Sequence, residues 1–185
     1  MEWTIPGTVL TGRREDVEHS IQQIEGMFLG GGMIRSQLAS VSGVEAHDIQ
    51  NWVKRGFLPS PVNKRYSCSQ FCRIVIINML RSAMPMDQIC SLLAYVSGRL
   101  DDDSDDLIDD SVLYFMFLRL AARARQIGGR DNWQTAIADI LADYEEPIPG
   151  AKQRIDQVLR IMLTAWIGVQ TIRRASQMLA ALQES

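Results

Sequence analysis

The segment from Ser36 to Tyr66, SQLASVSGVEAHDIQNWVKRGFLPSPVNKRY, restricts the fold of this chain more than any other. It predicts a helix, a tight turn at Gly43, a second helix and a short hairpin marked by Pro59 and Pro61. Leu38 and Val44 fill the space between the two helices, and Ala39 is small enough to let them approach. A turn this tight needs one residue at positive φ, which glycine supplies without steric cost. Ile49 and Trp52, three residues apart, give the second helix a buried stripe. Glu45, His47, Gln50, Asn51, Lys54 and Arg55 are left on its outer face. Those side chains can donate to and accept from base edges and phosphates, as a helix in a DNA groove must. The stretch therefore reads as a helix-turn-helix with a wing, set against the plainer reading of an ordinary pair of packed helices.

Asn63, Lys64 and Arg65 put positive charge at the wing tip, which suits a phosphate backbone or a minor groove. Arg35 and Ser36 at the start of the first helix, and Tyr66 at the end of the wing with its ring packed beneath it, complete the candidate DNA-binding set. IQNWVKRGFLPSP followed by NKRYS resembles the DNA-binding domain of MerR-type regulators. There a recognition helix ends in a Gly-aromatic-Leu-Pro step, and a basic wing closes on Arg-Tyr-Ser before the next helix. Residues 33 to 97 are also similar to a bacterial domain-of-unknown-function family of this build. The wing here is shorter than in MerR-type proteins, and Gln50 and Asn51 stand where that family carries Arg and Tyr. The resemblance implies binding to double-stranded DNA and leaves base preference open.

A net charge of -3 is unusual for such a protein until it is divided along the chain. Residues 1–32 carry -3, residues 33–81 carry +5 through Arg35, Lys54, Arg55, Lys64, Arg65, Arg73 and Arg81, and the remainder carries -5. Concentrated charge of that kind can collect phosphates and release counterions even in an acidic protein. No secretion signal is visible, no apolar run reaches the roughly 18 residues of a membrane helix, and three cysteines make no disulfide framework. A cytoplasmic location with reduced thiols is expected.

The whole is expected to be all-α, with a MerR-like winged helix-turn-helix domain followed by a C-terminal helical bundle. Residues 1–32 form an N-terminal arm with a helix over Thr11 to Leu29, using Val17, Ile21, Ile24 and Phe28, broken by Gly30, Gly31 and Gly32. Residues 33–98 form the reading domain. After the wing, Ser67 caps a helix running from Cys68 to about Ser82 that is apolar nearly all round, and Pro85 opens another through Val96. Residues 99–104 form an acidic linker. The aspartates from Asp101 to Asp110 offer hard oxygens for calcium, but they lack the alternation, central glycine and terminal glutamate of an EF-hand, so no metal is expected.

Residues 105–185 form a helical dimerisation domain: a buried helix over Asp105 to Gln126 ended by Gly128 and Gly129, a shorter one capped by Asp131 or Asn132 and reaching Tyr144, and a long one from Ala151 to about Gln183. Ile155, Leu159, Met162, Trp166 and Val169 form a seam on the last, which Arg173 and Ser176 then interrupt. A bundle that also dimerises fits better than a long two-stranded coiled coil. Tyr114, Phe117, Trp133, Tyr144 and Trp166 suit a small-molecule effector pocket in composition, although aromatics at helical spacing read first as core.

Cys68 and Cys72, one helical turn apart, have no further ligand nearby in sequence except Cys90. His19 and His47 belong to no catalytic constellation, so neither an enzyme nor a cofactor is expected. Three functions are weighed: a homodimeric transcription regulator reading a palindrome, a protein-interaction module that keeps the fold without reading DNA, and a small-molecule enzyme, which has no residue constellation behind it.

Overall fold

A computed structural model describes residues 2–98, 106–124 and 130–183. The expected linker at 99–104, Gly128 and Gly129, and the side chains of Asp131 and Asn132 lie outside the described residues. The described chain is mostly helical, with eight α-helices and one two-stranded sheet. None of the described helices is long and apolar enough to cross a membrane.

The helices bear out the expected helical class, and one small sheet is added to it. Strands β1 (Glu2–Thr4) and β2 (Thr11–Arg13) pair antiparallel, with Trp3 opposite Gly12. A single 3-10 turn then leads into helix α1 (Val17–Gly26), six residues shorter at its start than the apolar spacing predicts. Ile5 is fully buried, and Gly7, at φ 77°, sits so close to the main chain of Val75 that a Cβ there would lie 2.4 Å from its carbonyl oxygen. The N-terminal segment thus enters the core beside Trp3, Ile21 and Ile24. Its strands are too short for alternation to reveal them.

Helices α2 (Arg35–Ser42) and α3 (Ala46–Lys54) follow. Helix α4 (Cys68–Leu80) opens with Ser67 accepting from the Gln70 amide at 3.2 Å while Gln70 Oε1 accepts from the Ser67 amide at 2.9 Å. This reciprocal cap satisfies two amides that a helix start leaves open. Phe71 through Ile77 are all buried, as expected of a helix apolar on every side. Around α4 pack α2, α5 (Met86–Ser97), α6 (Asp110–Arg123) and α8 (Ala151–Gln183), with α7 (Arg130–Ile140) against α6 and α8. Pro85 sits at the N-cap of α5 with ψ 155°, one position before the expected first turn.

Helix α6 starts at Asp110 rather than Asp105, because the Asp109 side chain caps it by accepting from the Ser111 amide at 2.7 Å. Helix α7 ends at Ile140, short of Tyr144. Helix α8 has the expected bounds, and the whole seam Ile155, Leu159, Met162, Trp166 and Val169 is buried. One hydrophobic cluster runs through Ile5, Leu38, Ile49, Phe71, Phe117 and Leu159.

Candidate nucleic-acid interface

The α2–α3 turn is held at several points. Gly43 takes φ 70°, ψ 14° and its amide donates to the Ala39 carbonyl at 2.9 Å. This is the left-handed helix end that only glycine adopts cheaply. The Ser42 hydroxyl donates to the Leu38 carbonyl at 2.7 Å and accepts from the Val44 amide at 3.2 Å. From α4, the Asn78 amide donates to the carbonyls of Ser42 and Gly7, both at 3.0 Å. The turn, the N-terminal segment and the central helix are thereby locked together.

Leu38, Val44, Ile49 and Trp52 are buried between the helices, as their spacing predicts. Glu45, His47, Gln50, Asn51, Lys54 and Arg55 are all exposed. Asp48 lies on the edge of that face, with Oδ1 3.2 Å from His47 Nε2 and Oδ2 3.6 Å from Arg81. The Arg81 guanidinium also lies 6.0 Å from the centre of the Trp52 ring. Arg81 therefore fastens α3 to the end of α4 rather than standing clear of it.

The wing is a two-residue hairpin. Val62 and Arg65 exchange both main-chain hydrogen bonds, at 3.0 and 2.9 Å, around Asn63 at φ 50° and Lys64 at φ 62°. Two successive residues at positive φ make the turn whose twist matches a strand pair. Its base is tied down by Gln70 Nε2, which donates to the Pro59 and Ser60 carbonyls at 3.2 and 3.0 Å. Its far end pairs with the residue before α2, where Met33 and Tyr66 exchange bonds of 3.0 and 2.8 Å.

Of the expected contact residues, Arg35, Ser36, Asn63 and Lys64 are exposed. Arg65 is exposed but donates to the Gly32 carbonyl at 2.8 Å, which orients it. Tyr66 is only 4% exposed, and burial pushes its phenol above the ordinary range. Its ring supports the wing from within and offers no surface to a ligand.

Arg73 departs most from its expected place. Its charge is part of the +5 of residues 33–81, yet it is 3% exposed. Its guanidinium lies 2.9 Å from Asp110 Oδ2 and donates through Nε to the Phe57 carbonyl at 3.1 Å, while the Ser97 hydroxyl donates to Asp110 Oδ1 at 3.1 Å. Burial pushes the Asp110 carboxyl up, and Arg73 and Ser97 pull it back. A cation inside an apolar helix has to find an anion. Here the anion is the last aspartate of the acidic run, 37 residues along the chain, a pairing that local spacing does not show.

Of the other candidates, Cys72, Tyr114, Phe117 and Trp166 lie in the core, and Cys68, Trp133 and Tyr144 pack against it. Cys68, Cys72 and Cys90 are free thiols. A hydrogen bond from Cys72 draws the Cys68 thiol down, and burial pushes Cys72 up. Among the described residues no group of three or more His, Cys, Asp or Glu side chains is placed to hold a metal. Tyr114 and Phe117 are fully buried; the Tyr114 hydroxyl donates to the Pro6 carbonyl at 2.7 Å, and Phe117 meets Trp166 edge-on at 6.1 Å. Tyr144 donates to the Leu107 carbonyl, and Trp133 is half-buried. A cleft of about 1150 Å³ lies instead between β1, the end of α4 and α8, lined by residues that include Arg81, Trp166, Arg173 and Arg174.

Residues 34–117 match the family model of a domain of unknown function (DUF1836). The DUF1836 match begins one residue before α2 and ends inside α6, so it takes in the helix pair, the wing and both partners of the Arg73–Asp110 ion pair. No curated protein and no solved structure matches the chain.

Proposed function

We propose that the protein is a DNA-binding transcriptional regulator whose α2–α3 pair and hairpin act as a MerR-like winged helix-turn-helix. The observation that carries the reading is the division of α3. Its two large apolar residues Ile49 and Trp52 are buried, the six candidate contact residues on it and at its two caps are exposed, and a basic hairpin follows directly. In this reading α3 lies in the major groove, where Gln50 and Asn51 pair with base edges while Lys54 and Arg55 hold phosphates. Lys64, projecting from the hairpin tip, takes a phosphate or enters the minor groove. The MerR likeness rests on the motif from Ile49 to Ser67, and the remaining helices serve a homodimer that reads a palindrome with half-sites a whole number of turns apart.

Selection of bound DNA from a random pool, at low and high salt, tests this. Enrichment of a palindrome is expected. Binding without enrichment would reduce the role to a non-specific one, and no binding at either salt would replace the regulator with a protein-interaction module.

A further inference from the structure

The cleft between β1, the end of α4 and α8 collects positive charge from three directions. Arg14 follows the second strand, Arg81 stands at the end of α4, and Arg173 and Arg174 come from α8. Among the described lining residues Glu2 is the one carboxylate, so four arginines against one glutamate leave the lining at +3. Arg173 and Arg174 are exposed, and neither has an ion-pair partner among the described residues. Arg14 is held 4.6 Å over the Trp3 ring. Trp3 itself is 6% exposed, and its buried indole N–H meets no acceptor among the described residues.

Like charges drawn round one cleft repel each other and focus a positive potential into it, which an anion relieves. A guanidinium meets phosphate through two parallel hydrogen bonds. At about 1150 Å³ the cleft exceeds what a single oxyanion fills and suits a small molecule. We propose that this cleft binds a small molecule carrying two or more phosphate groups, held by Arg14, Arg81, Arg173 and Arg174. The charges of α3 and the hairpin lie on an exposed face, as a duplex needs, whereas these four stand on different walls of a recess, as a small anion needs. A ligand oxygen beside Arg14 supplies the acceptor that the Trp3 N–H lacks. The site stands whether or not α3 reads DNA.

Arg81 ties this site to α3. Its guanidinium lies 3.6 Å from Asp48 Oδ2, so the ligand and Asp48 compete for one cation. Removing the Asp48 charge therefore tightens ligand binding, and filling the cleft loosens α3 from the end of α4.

Calorimetric titration of the full chain with inorganic pyrophosphate is expected to show saturable binding of one ligand per chain. Arg173→Gln combined with Arg174→Gln is expected to weaken it about tenfold or more with unchanged circular dichroism, while Lys54→Ala combined with Lys64→Ala leaves it unchanged. No saturable binding to the wild-type chain, or equal losses from the two pairs, overturns the proposal. A gain of affinity cannot come from misfolding. Asp48→Asn is expected to bind pyrophosphate about threefold more tightly, and Glu45→Gln, which removes a charge at the N-cap of the same helix, to leave the affinity unchanged. Equal gains from these two would reduce the effect to general charge and overturn the place of Arg81 in the site. Gel shifts decide the source of the phosphate: an Arg173→Gln, Arg174→Gln chain that keeps pyrophosphate binding and loses duplex would give these arginines to DNA and overturn the small-molecule site.

Discussion

Two side chains of the candidate interface are placed for different work, and their difference can be measured. Gln50 is exposed on α3, between the buried positions Ile49 and Trp52. An amide of that kind pairs with adenine through two hydrogen bonds. Lys64 stands at the hairpin tip with a point charge and no amide geometry. Gln50→Ala is expected to change which base is preferred at one position, at about 1–3 kcal/mol of discrimination. Lys64→Ala should weaken all sequences alike and flatten the salt dependence by about one unit of slope. Quantitative gel shifts over a set of site variants and salt concentrations check both, and equal losses on every sequence would refute the division of labour. Tyr66 shows the limit of reading single residues. It stands in the candidate contact set, yet at 4% exposure its ring can only support the wing from beneath, while its main chain pairs with Met33.

Helices and turns were legible wherever the signal was local. Ser67 capped α4, Gly43 took positive φ, and Ile49 and Trp52 turned inward, each for reasons contained within a few residues. The N-terminal hairpin was not legible, since three-residue strands carry no periodicity and are held by Gly7 against Val75, far along the chain. The wing allows fold and function to be separated. Lys64 occupies the left-handed region at φ 62°, which costs a non-glycine residue about 1–2 kcal/mol. Asn-Gly is the preferred pair for such a turn. Lys64→Gly is thus expected to raise the melting temperature by about 2–4 °C while weakening DNA binding as much as Lys64→Ala. Calorimetry and gel shifts on the same sample would show it, and a loss of stability would mean that the lysine stem supports the hairpin.

At the scale of the molecule, the Arg73–Asp110 pair joins α4, the start of α6, the end of α5 and the chain leaving α3. Removing one member strands a buried charge. Asp110→Ala is expected to cost about 3–5 kcal/mol in urea unfolding, and Arg73→Met combined with Asp110→Leu to recover most of it. A small loss in the single variant would mean that water reaches Arg73. That pair also explains why the charge count of residues 33–81 overstated the surface: one of its cations is neutralised from outside the segment. The sequence by itself determined the helices, the turn between α2 and α3, the outward face of α3 and the seam that binds α8 to the bundle, because periodicity and caps act over one or two turns. Only the tertiary structure decided that the N-terminal segment belongs to the core and that Arg73 is internal. Those outcomes depend on contacts between residues far apart in the chain, and neither spacing nor composition records which distant surface arrives to cover a given face.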